Sequence, residues 1–398
     1  MEDRSVTASL FGLVSSTAIY REGIGCTAAI HVTPAQLRAQ GEGVPSGVPP
    51  GDPDVLWPEG EATLIEAPPP GVNREALAAA LDRVFTNADP ARPINTRGVA
   101  VIYQGRIIAE RYAPGFDVNT THLSNSVAKS VTSALVGILV GQGRLDLYAP
   151  APVAEWRGEN DPRGAITLDN LMRMSSGLQF QEEYDEVWTD ITRMLADGDL
   201  AHYAATRTLE HPPGTHWQYS TGTSNILGRI VREAAGPDFP TAFAFPRRAL
   251  FDRIGARTAV LEVDTAGNFV GGSLFQASVR DYARFGLLYL RDGVWNGERI
   301  LPEGWVAYTR TLTPHGVANL GYGAQFWLNT GGENRRWPNL PEDLYAMNGH
   351  QGQHVFIAPS HDAVIVRVGL SEFDNWRMSD FAADVLAALP APAAGAGP

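Results

Sequence analysis

At 398 residues, 44% of them hydrophobic and 19% charged, the chain can bury a sizeable core, and no apolar run approaches the length that spans a bilayer. Its formal charge of -13, from 44 acidic against 31 basic side chains, argues against the clustered cationic surface that nucleic-acid binding needs. Neither nucleic acid nor a membrane is therefore an expected partner. Cys26 is the single cysteine, so no intrachain disulfide and no multi-thiolate metal site can form. The opening MEDRSVTASLFGLVSS has too short and interrupted an apolar stretch for a signal peptide, so the expected compartment is the cytoplasm. A periplasmic or secreted location applies if an export segment has been removed.

Residues 1–72 read as an N-terminal extension. Its stretch from 40 to 72 is dense in Pro and Gly, which disfavours helix and ladder alike and predicts an extended arm. The pattern REALAAALDRVF predicts a helix over 74–85 that opens the main domain, 73–390. The segment RGVAVIYQGRIIAERYAPG, with β-branched residues on both sides of Gln104-Gly105, predicts a hairpin. A long buried helix follows, carrying Val127, Val131, Leu135, Ile138 and Leu139, with Ser126 in its first turn. Residues 145–260 predict a mostly helical subdomain, and VRDYARFGLLYLRDG another helix. YGAQFWLNT, HVFIAP and DAVIVRVGL read as strands, and WRMSDFAADVLAAL as a final helix before a disordered tail at 391–398. Strands from both ends of the chain must then share one sheet.

Thirty of the 31 basic residues are arginine, and the one lysine is Lys129. Where a positive charge alone suffices this chain uses arginine, so the surviving lysine points to a task guanidinium cannot perform, namely losing a proton. Ser126 lies three residues earlier on the same helix, which puts hydroxyl and amine on one face a turn apart. The helix N-terminus adds a positive dipole end that helps depress the lysine pKa. A serine hydroxyl is a poor nucleophile until a neighbouring base takes its proton, and this adjacency supplies one.

Beside SVAK at 126–129 stand PPGTHWQYST at 212–221 and NGHQGQ at 348–353. In order and spacing these motifs resemble those of the β-lactamase-related serine hydrolases, which include class C β-lactamases, D,D-peptidases, esterases and 6-aminohexanoate-dimer hydrolases. ITLDNLMRMSSGL also looks like that family's helical stretch between the first two motifs. The resemblance spans roughly 75–390. It implies an α/β (α+β) fold of the β-lactamase/transpeptidase type, an antiparallel sheet of about five strands flanked by helices with an inserted helical subdomain. It further implies Ser126 as nucleophile, with Lys129 and Tyr219 moving the protons. His350, Gln351 and Gly352 would line the site, and the backbone N–H groups of Ser126 and Gln353 would form the oxyanion hole. The reaction implied is acyl transfer from an amide or ester to Ser126, then hydrolysis, with no cofactor and no metal.

Two departures bear on the substrate. β-Lactamases of this type have Asn two residues after the tyrosine, where this chain has Thr221, and Lys at the head of the third motif, where it has His350. The fixed cation for a β-lactam carboxylate is thus missing. The pattern resembles the esterases and 6-aminohexanoate-dimer hydrolases more, and a linear amide such as a 6-aminohexanoate oligomer ranks first. The acidic loop 178–191 suits a cationic amine end, with Tyr184 and Asp190 as candidate contacts, although a merely solvated loop reads the same way. Competing readings are a carboxylesterase, a penicillin-interacting D,D-peptidase or β-lactamase, a catalytically silent binding domain, and a pyridoxal-phosphate enzyme using Lys129. The oligomeric state stays open, a homodimer included.

Overall fold

The computed structural model describes residues 4–10, 14–44, 51–87, 89–184, 186, 188–314, 321–332, 335–372 and 378–392. Most of the expected tail, 393–398, lies outside them. The chain divides into two compact units, one of residues 1–48, 128–250 and 260–276, the other of 49–127, 251–259 and 277–398.

The second unit is built on a six-stranded antiparallel sheet, in keeping with the expected sheet of about five. Its order is Trp327–Leu328, Tyr345–Gly349, Gln353–Ala358, Ala363–Gly369, Thr96–Tyr103 and Arg106–Tyr112. The two ends of the chain meet where Val101 pairs with Ile365. The Gln104-Gly105 turn closes the hairpin with both residues at positive φ, 51° and 70°, which matches the right-handed strand twist. One face carries Val101, Phe356 and Ile365 and packs with Leu77, Leu81, Phe381 and Val385 of the helices Arg74–Phe85 and Met378–Ala387. The alternate residues Val355 and Val364 face the helix Val279–Leu290, whose Gly286 permits the approach. A Cβ there would stand 2.7 Å from Val364 and 2.8 Å from Val355. Covered on both faces, the central strands are apolar almost throughout, as VAVIY and AVIV are. The expected strand at YGAQFWLNT shrinks to Trp327–Leu328.

The Pro/Gly-rich residues from 51 onward are folded down, with Trp57 fully buried. The Arg284 guanidinium donates to the carbonyls of Pro58 at 3.1 Å and Gly60 at 2.9 Å, and to Glu61 at 2.9 Å. Asp281 balances its charge at 2.8 Å. Arg106 donates to the Trp57 carbonyl at 2.6 Å and Arg280 to the Glu61 carbonyl at 2.8 Å, so three arginines serve the backbone of a segment that no strand of the sheet pairs with.

In the first unit, a meander of Ser5–Leu10, Val14–Arg21 and Gly25–Ala28 precedes the helix Pro34–Gln40. Hydrogen bonds from the Cys26 N–H to Glu262 and from the Thr27 hydroxyl to the Val263 carbonyl join it to residues 260–276. The helix Thr221–Ala235 is buried from Thr221 to Val231 and packs against the apolar helix Ala128–Gly141. Its Ile226, Leu227, Ile230 and Val231 are buried, and its buried polar residues are paired, Arg229 with Glu155 at 2.7 Å and Asn225 with the Gly272 N–H at 3.1 Å. The short helices Leu168–Met172, Asp190–Leu195 and Leu200–Ala205 surround Thr221–Ala235.

Candidate active site

Ser126 sits in a 3-10 turn, Asn125–Val127, that runs directly into the helix Ala128–Gly141. Asn125 takes a left-handed φ of 48°, which Asn tolerates better than most residues. Its side-chain amide donates to the His350 carbonyl at 2.9 Å. Gly349 comes so close that a Cβ there would lie 2.1 Å from the Ser124 carbonyl oxygen, so only glycine fits. The second unit therefore brings the turn bearing Ser126 beside the third motif.

His350, Gln351 and Gly352 form a tight turn between the strands Tyr345–Gly349 and Gln353–Ala358, with Gln351 at φ 61° and Gly352 at φ 83°. Arg367, fully buried on the neighbouring strand, donates to the carbonyls of Gly352 at 2.9 Å, Gln351 at 3.3 Å and Ile94 at 2.7 Å. The Gln353 side chain, also buried, donates to Gly369 at 2.6 Å and His350 at 3.1 Å, and accepts from the Gly369 N–H at 3.0 Å. Arg367 and Gln353 thus clamp the turn from behind. It is the His350 backbone that bonds the residue next to Ser126. Burial lowers the His350 pKa below its ordinary value, so near pH 7 the ring is largely uncharged.

In the first unit, Lys129 is buried, and its ammonium lies 4.8 Å from the centre of the Tyr219 ring. It donates to the Thr221 hydroxyl at 2.9 Å and to the Gly272 carbonyl at 2.8 Å. That carbonyl is held in place because the Gly272 N–H donates to Asn225 at 3.1 Å and the Thr132 hydroxyl to Gly271 at 3.0 Å. Burial brings the Lys129 pKa down to about 8, with the Glu182 carboxylate opposing the fall. A base poised near working pH is what general-base catalysis asks for. Ser220 caps the following helix by accepting from the Thr223 N–H, which fixes where Tyr219 and Thr221 stand.

The acidic loop divides. Asp190 is buried and accepts from the Gln181 N–H at 3.0 Å, the Tyr203 hydroxyl at 2.8 Å and Arg207 at 3.3 Å. Those partners make it a brace of the loop. Tyr184 is 55% exposed and donates to Glu182 at 3.0 Å. Glu182 was not singled out from sequence, yet its carboxylate accepts from the Thr221 N–H at 2.9 Å and from the Thr221 hydroxyl. Only its place in an acidic run marked it, and a run does not say which member turns inward.

Among the described residues no group of His, Cys, Asp and Glu is arranged to hold a metal ion, and no helix is long and apolar enough to cross a membrane.

The family model described as beta-lactamase matches residues 81–380. The chain is 28% identical over 297 residues to a 6-aminohexanoate-dimer hydrolase from Paenarthrobacter ureafaciens, an overlap of 69% of this chain and 72% of the other. Among solved structures, a Bacillus anthracis protein provisionally designated a 6-aminohexanoate-dimer hydrolase superposes with a TM-score of 0.62 at 22% identity, over 78% of this chain and 81% of its own. The hydrolase EstCE1, described as having promiscuous acyltransferase activity, gives 0.61 at 15%, over 79% and 98%. A class C beta-lactamase gives 0.59 at 15%, over 80% and 96%. At these identities the superpositions speak for the fold.

Proposed function

The chain belongs to the β-lactamase family of serine hydrolases, and on that premise we propose that it cleaves small linear amides, with 6-aminohexanoate oligomers as the leading substrate class, through an acyl-enzyme on Ser126. The Ser126 Oγ adds to the carbonyl carbon as its proton passes to Lys129 and Tyr219. The amine leaves with that proton, and water then hydrolyses the ester. The negative oxygen of each tetrahedral intermediate is held by the Ser126 N–H and a second N–H from the third-motif turn. We assign that donor to Gln353, the residue after Gly352, and the Asn125 bond to the His350 carbonyl keeps the turn that carries it beside the nucleophile turn. Each such donor is worth about 3–4 kcal/mol in the transition state.

The observation that carries this reading is the state of the sole lysine, buried with its pKa brought down to about 8 and three residues from a serine at a helix start. The substrate preference is supported by the 6-aminohexanoate-dimer hydrolase relative and by an uncharged histidine where a β-lactam carboxylate would need a cation. Asp190 does not serve the substrate's amine end in this reading, since it is committed to Tyr203 and Arg207. The exposed Tyr184 remains a candidate contact, and Trp188 of the same loop, 75% exposed, is added to it. The test is a panel of linear amides, p-nitrophenyl esters and nitrocefin against wild type and Ser126→Ala, with mass spectrometry after a fluorophosphonate. Amide and ester turnover, slow nitrocefin cleavage, an adduct on Ser126 and near-total loss in the variant are expected. Rapid nitrocefin turnover would overturn the substrate class, and an active Ser126→Ala the mechanism.

A further inference from the structure

Counting donors and acceptors around Lys129 shows what Glu182 does there. A threonine hydroxyl has one proton and two lone pairs. The Thr221 oxygen accepts from Lys129 at 2.9 Å, and its own proton is directed to Glu182, whose carboxylate can only accept. The second carboxylate oxygen takes the Thr221 N–H at 2.9 Å, and the Tyr184 hydroxyl adds a donor at 3.0 Å. The carboxylate is thereby fixed in place, and the Thr221 hydroxyl cannot turn round.

That matters once the lysine is neutral. A neutral amine has two N–H donors and one lone pair. With the Thr221 oxygen at 2.9 Å and the Gly272 carbonyl at 2.8 Å both held as acceptors, the two N–H groups are assigned and the lone pair takes the remaining position. Were Thr221 able to rotate, its proton could go to that lone pair and quench the base. Among the described residues, titratable groups facing the amine include Glu182, through Thr221, and Tyr219, whose ring centre lies 4.8 Å away. Of these two, the carboxylate brings a full charge.

We propose that Glu182 is a positioning residue, which locks the Thr221 hydroxyl as an acceptor towards Lys129 and so keeps the lysine lone pair available to the nucleophile's proton. The inference rests on the reading of Lys129 as proton acceptor for Ser126. It accounts for threonine at position 221 together with an inward-turned glutamate, two features that the motif alone leaves unconnected.

The experiment is a double-mutant cycle of Glu182→Gln and Thr221→Val, with kcat/KM measured against pH on a p-nitrophenyl ester or linear amide and thermal unfolding recorded for each protein. Removing the carboxylate charge should move the acidic limb of Glu182→Gln about one pH unit lower. Freeing the hydroxyl to rotate should lower its plateau about tenfold or more. Thr221→Val in the Glu182→Gln background should bring the rate back to within a few-fold of Thr221→Val alone, because no hydroxyl remains to quench the base. Additive losses with an unmoved limb would reduce Glu182 to a helix cap and overturn the proposal, even where the variants are less stable. Ser126→Ala is run alongside. If it retains activity the underlying reading fails, whereas an inactive Ser126→Ala with additive losses sinks only the role of Glu182.

Discussion

The Asn125 side-chain amide donates to the His350 carbonyl oxygen at 2.9 Å, tying the residue before Ser126 to the histidine of the third motif. The same residue holds φ at 48°, so its side chain and its backbone do separate jobs that two substitutions can tell apart. Asn125→Gly loses the hydrogen bond and keeps an easy left-handed φ, while Asn125→Ala loses the bond and adds strain of about 1–2 kcal/mol. Urea unfolding should therefore rank Ala below Gly by about 1 kcal/mol, after a shared loss of about 1 kcal/mol for the bond. Both variants should lower kcat about tenfold, the equivalent of about 1.4 kcal/mol. Equal stability of the two would mean the backbone relaxes out of the left-handed region.

Lys129 gives a pH prediction whose sign follows from its burial. The folded pKa of about 8 lies below that of an exposed lysine. Activity that needs the neutral amine should rise as pH passes about 8, and kcat/KM against pH should show that limb. Stability follows the same difference. Between about pH 8 and the unfolded value near 10.4 the unfolded chain holds the proton that the folded one has released, so resistance to urea from this group grows with pH across that window. Lys129→Arg keeps the charge and cannot release the proton, so kcat should fall about 10²–10⁴-fold at every pH. Activity in Lys129→Arg within tenfold of wild type would exclude the lysine as base.

The residues proposed to react stand out in the sequence because they carry signals that need no tertiary context. One lysine in 31 basic residues, three positions from a serine at the start of an apolar helix, needs no fold to be noticed. The Thr96–Tyr103 and Arg106–Tyr112 hairpin was equally plain, since alternation around Gln-Gly is set by local backbone preference. What stayed hidden depends on partners distant in the chain. Nothing local distinguishes Glu182 from Glu183 or Glu186, and only folding brings the Thr221 N–H to it. Asp190 suggested a substrate contact until Tyr203 and Arg207 were found against it. The stretch after 51 reads as an arm because two of the arginines that hold it, Arg280 and Arg284, come more than 200 residues later. Arg367 did leave a mark, as an arginine amid the apolar strand AVIVRVG, since a charge in a strand buried on both faces must have a partner or a task.

Arg367 supplies the remaining prediction. Its guanidinium serves the carbonyls of Gln351, Gly352 and Ile94 and the hydroxyls of Thr96 and Ser371. Arg367→Met leaves those carbonyls short of donors, at about 1–3 kcal/mol for each group that water cannot reach. Thermal unfolding should show the chain strongly destabilised, with Arg367→Lys between it and wild type. Because the turn it supports presents His350, kcat should fall while KM changes little for whatever protein remains folded. A Met variant of wild-type stability would show that the turn holds itself.

With its one ε-amine sealed in the core, the folded protein offers amine-directed reagents no target apart from the chain's own α-amine. Acylating probes, lysine-directed crosslinkers and enzymes that modify lysine would reach Lys129 only while the first unit is open. The rate at which such a probe attaches there is thus a clock for opening, read from a single residue by mass spectrometry.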